Sequence, residues 1–141
     1  MTDSEKWPKI FFLLSKEKKW ISDDFVHYWH TVLPKSYTFI AHFNNNYVVK
    51  NTPCTFTKTL EIGAGLGEHL FYEKLSTNQR KNYVALELRE NMAEKIRNNH
   101  PDIQVLIGDC QEMIAARDHE FDRIIAIHVL EHLPNLPEAI K

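Results

Sequence analysis

The sequence predicts a doubly wound, mostly parallel α/β sheet of four strands in the order 3-2-1-4, and three observations carry that prediction. Short, mostly apolar runs recur at Leu60–Ile62, Tyr83–Leu86, Ile103–Ile107 and Arg123–Ile127. They lack the alternation of half-exposed strands, so they read as strands covered on both faces. Helical or polar segments separate them, as crossovers between parallel strands require. A glycine-rich turn directly follows the first strand.

The residues before this pattern are helical and aromatic-rich. Asp23 or Asp24 is expected to cap a helix that turns Phe25, Trp29, Val32 and Leu33 inward. Pro34 marks a break, and Ser36 is expected to cap a second helix with Tyr37, Ile40, Ala41 and Phe43 inward. Asn44–Asn46 then suggest its end, and Pro8 suits the first turn of an initial short helix. Residues 1–54 are too short and too weakly patterned for a domain of their own, so they are expected to form a helical cover on the core of residues 55–141. Tyr28, Tyr37, Phe43 and Tyr47 are candidates for an apolar lid, although helical spacing of this kind equally describes packing.

Within the core, a helix is expected at about Glu68–Leu75 and a polar connection over Ser76–Asn82. A second helix spans Arg89–Asn98 with Met92, Ala93 and Ile96 toward the sheet. Gly108 and Asp109 end the third strand, and Gln111–Ala116 reads as a brief helix. After the fourth strand, Pro134 and Pro137 precede a helix starting at Leu136. A sheet ending there would keep an apolar edge. The sequence therefore predicts a core truncated before a fifth strand, or self-association or a partner at the fourth-strand edge.

Composition narrows the function classes. The 141 residues suit one domain, with 43% hydrophobic and 26% charged residues. A formal charge of −2 gives no long-range attraction to nucleic acid or anionic lipid. Two cysteines, Cys54 and Cys110, do not make a disulfide scaffold. Ile10–Leu14 is too short for a signal-peptide core or a membrane span. The expected location is the cytoplasm.

The chemistry concentrates in Glu61-Ile62-Gly63-Ala64-Gly65-Leu66-Gly67. Alternate glycines let the backbone turn tightly and approach a ligand, with N–H groups of the next helix expected to face the same crevice. A dinucleotide fingerprint needs Gly-x-Gly-x-x-Gly, and its third glycine position is here Glu68. Glu61 and Glu68 are awkward beside a diphosphate, whereas Glu61 suits a cation. Glu87, ending the second strand, can accept hydrogen bonds from both hydroxyls of a ribose, with Leu88 beside it as apolar contact for a base. Asp109 can accept from an exocyclic amine and the Cys110 N–H can meet a ring nitrogen, although Asp109 can equally cap the turn at Gln111. Together these positions describe a ligand with an amine, a ribose and a base, and no phosphate.

These segments, with Phe121-Asp122 and Ile127-His128-Val129-Leu130-Glu131-His132-Leu133, resemble the successive motifs of the class I S-adenosylmethionine-dependent methyltransferases, a Rossmann-like family, and its small-molecule branch in particular. The resemblance covers about residues 59–136. It implies S-adenosylmethionine as cofactor and a small molecule as methyl acceptor. By the same resemblance Gly63, Ala64, Gly65 and Gly67 contact the methionyl part and Glu61 lies near its amino group. Glu87 holds the ribose, Asp109 and Cys110 hold adenine, and the Ile127–His128 backbone lines the methionyl end. The family's later strands are absent, and His128 stands where a small residue is common.

His128 and His132 are the candidate catalytic residues, since imidazole can take a proton from an acceptor. His128–His132 also matches His-x-x-Glu-His, but a zinc site needs both rings on one helical face and a further ligand. No metal is expected. A nicotinamide-dependent oxidoreductase, or a catalytically inactive methyltransferase-like binding module, are the alternatives.

Overall fold

The computed structural model describes residues 15–53, 55–112, 119–133 and 135–139. The chain forms two compact units, residues 1–44 and 45–141. Helix α1 (Lys16–Thr31) is capped by Ser15, whose hydroxyl accepts from the Lys18 N–H. Asp23 and Asp24 therefore lie inside the helix, and Asp23 instead pairs with Lys19 one turn earlier. The break falls at Val32, and α2 (Leu33–Asn51) begins just before Pro34, so Ser36 is internal rather than a cap. Proline in a first turn costs no hydrogen bond. Nor do Asn44–Asn46 end α2, which runs on to Asn51. The expectation for Pro8 lies outside the described residues.

The expected inward faces are corrected where they are described, while the side chains of Trp29, Leu33 and Tyr37 lie outside the described residues. Phe25, Val32, Ile40 and Phe43 are all more than 40% exposed, at 59%, 44%, 51% and 58%. Helical periodicity says which residues share a face; it does not say that anything covers the face.

The second unit carries the predicted sheet. Strands β1 (Thr59–Ile62), β2 (Tyr83–Glu87), β3 (Gln104–Ile107) and β4 (Arg123–Ala126) are all parallel, in the order β3-β2-β1-β4. The two central strands are buried along their whole length, polar Thr59, Glu61 and Glu87 included, as strands covered on both faces are. Each face has its own core. Tyr83, Ala85, Ala93, Ile96, Ile103 and Val105 fill one; Leu60, Ile62, Val84, Leu86 and Cys110 fill the other.

The crossovers differ in detail from the sequence reading. Only a 3-10 turn, Glu68–Phe71, follows the glycine turn, in place of a helix to Leu75. The polar segment is itself a short helix, α3 (Thr77–Lys81), nucleated by a reciprocal cap in which Ser76 accepts from the Gln79 N–H and Gln79 from the Ser76 N–H. The next crossover, α4 (Glu90–Asn99), buries Met92, Ala93 and Ile96 as expected. After β3 comes a 3-10 turn, Cys110–Glu112, and residues 113–116 of the expected brief helix lie outside the described residues. A 3-10 turn (Leu130–His132) and a helical turn, α5 (Leu136–Ala139), follow β4. Among the described residues, no helix is long and apolar enough to cross a membrane.

The sharp exit from β1 depends on backbone that only glycine adopts freely. Gly63 has φ +66°, and a Cβ there would collide with the Val129 side chain. Gly63→Ala is expected to cost about 1–3 kcal/mol of unfolding free energy, measured by urea denaturation. Adding Val129→Ala should recover the steric part and leave the part due to the left-handed backbone.

Candidate functional site

The carboxyl ends of the parallel strands meet at the glycine turn. Gly63, Gly65 and Gly67 all have left-handed backbone, with φ of 66°, 60° and 82°. Every N–H from Gly63 to Gly67 has an acceptor. The Gly63 and Ala64 N–H groups donate to the Leu86 carbonyl at 2.8 and 3.1 Å, and that of Gly67 donates to the Ala64 carbonyl at 2.8 Å. Two carboxylates complete the set: Glu87 Oε2 accepts from Gly65 N at 2.8 Å, and Glu68 Oε2 from Leu66 N at 2.9 Å. The N–H groups of the turn itself are therefore all engaged. A phosphate would have to displace two carboxylates and meet their charge.

Glu87 is 6% exposed and bridges two segments, since its Oε1 also accepts from the Arg89 N–H at 2.9 Å. The neighbouring Leu88 is 42% exposed. The Gly108 N–H donates to the Glu87 carbonyl at 3.1 Å, which brings the end of β3 alongside. There, Asp109 Oδ1 accepts from the Gln111 N–H at 2.9 Å, the capping role left open by the sequence. The Gln111 side chain donates to Asp109 and its Oε1 accepts from the Asn135 N–H at 3.0 Å, tying the loop after β3 to the loop after β4. Cys110 is a buried thiol packed in the core with Ile62 and Leu86, and its thiol is pushed up by burial and by Asp109.

After β4, Ile127 is half-buried and His128 is exposed, with the unusual φ of +55°. Its Nδ1 lies 3.4 Å from Glu131 Oε1. Val129 packs on the glycine turn, while His132 is exposed in the 3-10 turn. The left-handed His128 and that three-residue turn do not make an α-helical face bearing both rings.

Glu61 sits differently from the other acids. It is 3% exposed, and its Oε2 accepts from the Tyr83 hydroxyl at 2.8 Å. Its register partner is Ala85, so its side chain shares a face with Tyr83 and Glu87. Burial pushes its pKa up to about 7, against the opposing effects of His69 and the Tyr83 hydrogen bond, with Glu68 and Glu73 adding to the rise. Burial, then the nearby Glu61, raises the Tyr83 hydroxyl as well.

Next to it lies a buried polar network that the sequence reading missed. His69 Nδ1 is 3.0 Å from Asn45 Oδ1, and its Nε2 is 2.7 Å from Glu73 Oε1. Arg123 donates to Glu73 and, at 2.9 Å, to Thr52, with its guanidinium over the Phe56 ring. Burial alone would raise Glu73, but hydrogen bonds from His69 and Arg123 hold it below the usual carboxylate range. One signal was available. Tyr83, two residues from Ala85 and four from Glu87 in an otherwise apolar strand, needed a buried partner for its hydroxyl.

This sheet order and turn are those of the class I S-adenosylmethionine-dependent methyltransferases. The chain belongs to the methyltransferase domain family, whose model matches residues 60–141. No curated protein matches it. Among solved structures it is similar to an S-adenosylmethionine-dependent methyltransferase from Thermotoga maritima, at 19% identity and a TM-score of 0.58, over 82% of this chain and 52% of that one. A TehB-like methyltransferase from Corynebacterium glutamicum gives 16% identity and a TM-score of 0.58, over 86% and 64%. The sugar N-methyltransferase KedS8 from Streptoalloteichus gives 19% and 0.52, over 70% and 38%. The chain thus spans about half the length of the solved structures it matches.

The buried Glu61 makes stability depend on pH with a definite sign. Its folded pKa, about 7, lies above the unfolded value near 4.5. Its contribution is therefore fully favourable below about pH 4.5 and is lost as pH rises toward about 7. Glu61→Gln should leave stability unchanged near pH 4.5 and raise it at pH 8, by up to about 3 kcal/mol. Urea denaturation at the two pH values checks this.

Proposed function

We propose that this protein binds S-adenosylmethionine at the glycine turn and transfers its methyl group to a small-molecule acceptor. One observation carries the reading: the turn has its N–H groups saturated, two of them by carboxylates, while a further acid, Asp109, closes the next strand. That charge pattern suits a cationic nucleoside and opposes a nicotinamide dinucleotide's diphosphate.

In this reading Gly63, Ala64, Gly65 and Gly67 form the floor under the methionyl part. Glu61 supplies negative charge for its ammonium, and Glu87 accepts from the ribose hydroxyls while keeping Gly65 in place. Leu88, Asp109 and the Cys110 N–H take the base, and the Ile127–His128 backbone borders the methionyl end. The bound cofactor supplies an electrophilic methyl group. The chain's part is to orient it and to manage the acceptor's proton, for which His128, held near Glu131, and His132 are the bases. The proposal extends to a cytoplasmic location and to self-association through the β4 edge, where Ile124 is 64% exposed.

Calorimetric titration with S-adenosylmethionine and, separately, with a nicotinamide dinucleotide tests the reading. Saturable binding of the first alone is expected; saturable binding of only the second would replace the assignment. Glu87→Ala should weaken S-adenosylmethionine binding by about 1.5–3 kcal/mol, the worth of charge-assisted hydrogen bonds. That is roughly 10- to 150-fold in Kd.

A further inference from the structure

Among the acids near the glycine turn, Glu61 has the surroundings of a group that exchanges a proton. It is 3% exposed, and its carboxylate accepts from a neutral donor, the hydroxyl of the fully buried Tyr83. The groups around it come from every neighbouring element. Tyr83 faces it from β2, Glu68 and His69 from the 3-10 turn, and Glu73 from the segment after that turn. From β4, Arg123 reaches Glu73. Among the described residues, Arg123 is bonded to Glu73 and Thr52, and the His69 ring to Asn45 and Glu73, so neither makes a hydrogen bond to Glu61. A carboxylate so placed has no ion pair of its own, and burial and its acidic neighbours Glu68 and Glu73 make ionisation costlier, against the opposing effect of His69.

We propose that Tyr83 is a positioning residue whose hydroxyl holds Glu61 ready to release a proton when a cationic ligand reaches the glycine turn, so that binding and proton release are coupled. This rests on the cofactor reading above and deepens it. In the empty protein near neutral pH, Glu61 is shared between its acid and carboxylate forms. A positive charge arriving two residues further along the chain, at Gly63, favours the carboxylate. The O–H bond of the acid breaks, its electron pair stays on Glu61, and the proton passes to solvent. Tyr83 continues to donate to the carboxylate and supplies part of the hydrogen bonding that stabilises it. Removing its hydroxyl makes the same ionisation harder without touching the ligand.

The test uses S-adenosylhomocysteine, which keeps the ammonium, ribose and base, in calorimetry between about pH 5.5 and about pH 8. Buffers of different ionisation enthalpy give the number of protons released. The wild type should release about half a proton per ligand at pH 7, with affinity rising as pH rises to that point. Tyr83→Phe should release closer to one, and bind roughly fivefold more weakly at pH 7, the gap narrowing to about twofold or less at pH 8. In a Glu61→Gln background the pH dependence due to this carboxyl disappears, and adding Tyr83→Phe should change neither affinity nor proton count. A loss from Tyr83→Phe that is equal at all pH values, or that persists in the Glu61→Gln background, overturns the inference. So does tight binding with no proton release traceable to Glu61, which leaves the cofactor reading standing. Absence of any binding removes the cofactor reading and this inference with it.

Discussion

From Gly63 to Gly67 the backbone N–H groups are all engaged within the second unit, and what can enter the crevice follows from that constraint. A phosphate-binding turn works by leaving its N–H groups pointing at an anion. Here Leu86, Ala64, Glu87 and Glu68 have taken them, so the turn presents carboxylates instead of donors. The same bonds fasten β1 to β2 at their carboxyl ends, because the Leu86 carbonyl accepts twice and Glu87 reaches across to Gly65. Holding the strand ends together and setting the charge at the turn are thus one set of contacts.

Two kinds of buried acid lie side by side. Glu73 is surrounded by donors, from His69 and Arg123, and is stabilised as an anion. Glu61, sharing the same face, has a tyrosine hydroxyl and acidic neighbours, and is pushed the other way. An ionisable group kept at a cost to the fold is a feature of sites more than of scaffolds. The contrast with Glu73 shows that burial alone does not set the outcome; the hydrogen-bond partners do.

The sheet was legible in the sequence because its strands are short, apolar and separated by punctuated crossovers. The buried face of α4 was legible because Met92, Ala93 and Ile96 recur at helical spacing. Helix ends fared worse. Asp23 and Ser36 are good caps in isolation, but a Ser15 cap about two turns upstream and a proline in the first turn of α2 decided the boundaries. Ser76 and Gln79 did carry a start signal, overlooked because α3 has no apolar face to give it periodicity. The acidic strand ends could be read from spacing, whereas the His69–Glu73–Arg123 network joins residues whose proximity exists only in three dimensions.

The pairing of β1 bears on how the chain acquires its structure. β1 is bordered by Tyr83–Leu86 on one side and by Arg123–Ala126 on the other, both in parallel register. The amides and carbonyls of β1 that face β4 therefore stay without their final partners until residues near 126 have been synthesised. Contacts between such distant stretches assemble slowly, because loop closure must precede the reward. During translation, the glycine turn can close on Leu86 and Glu87 while the other border of β1 still awaits Arg123–Ala126.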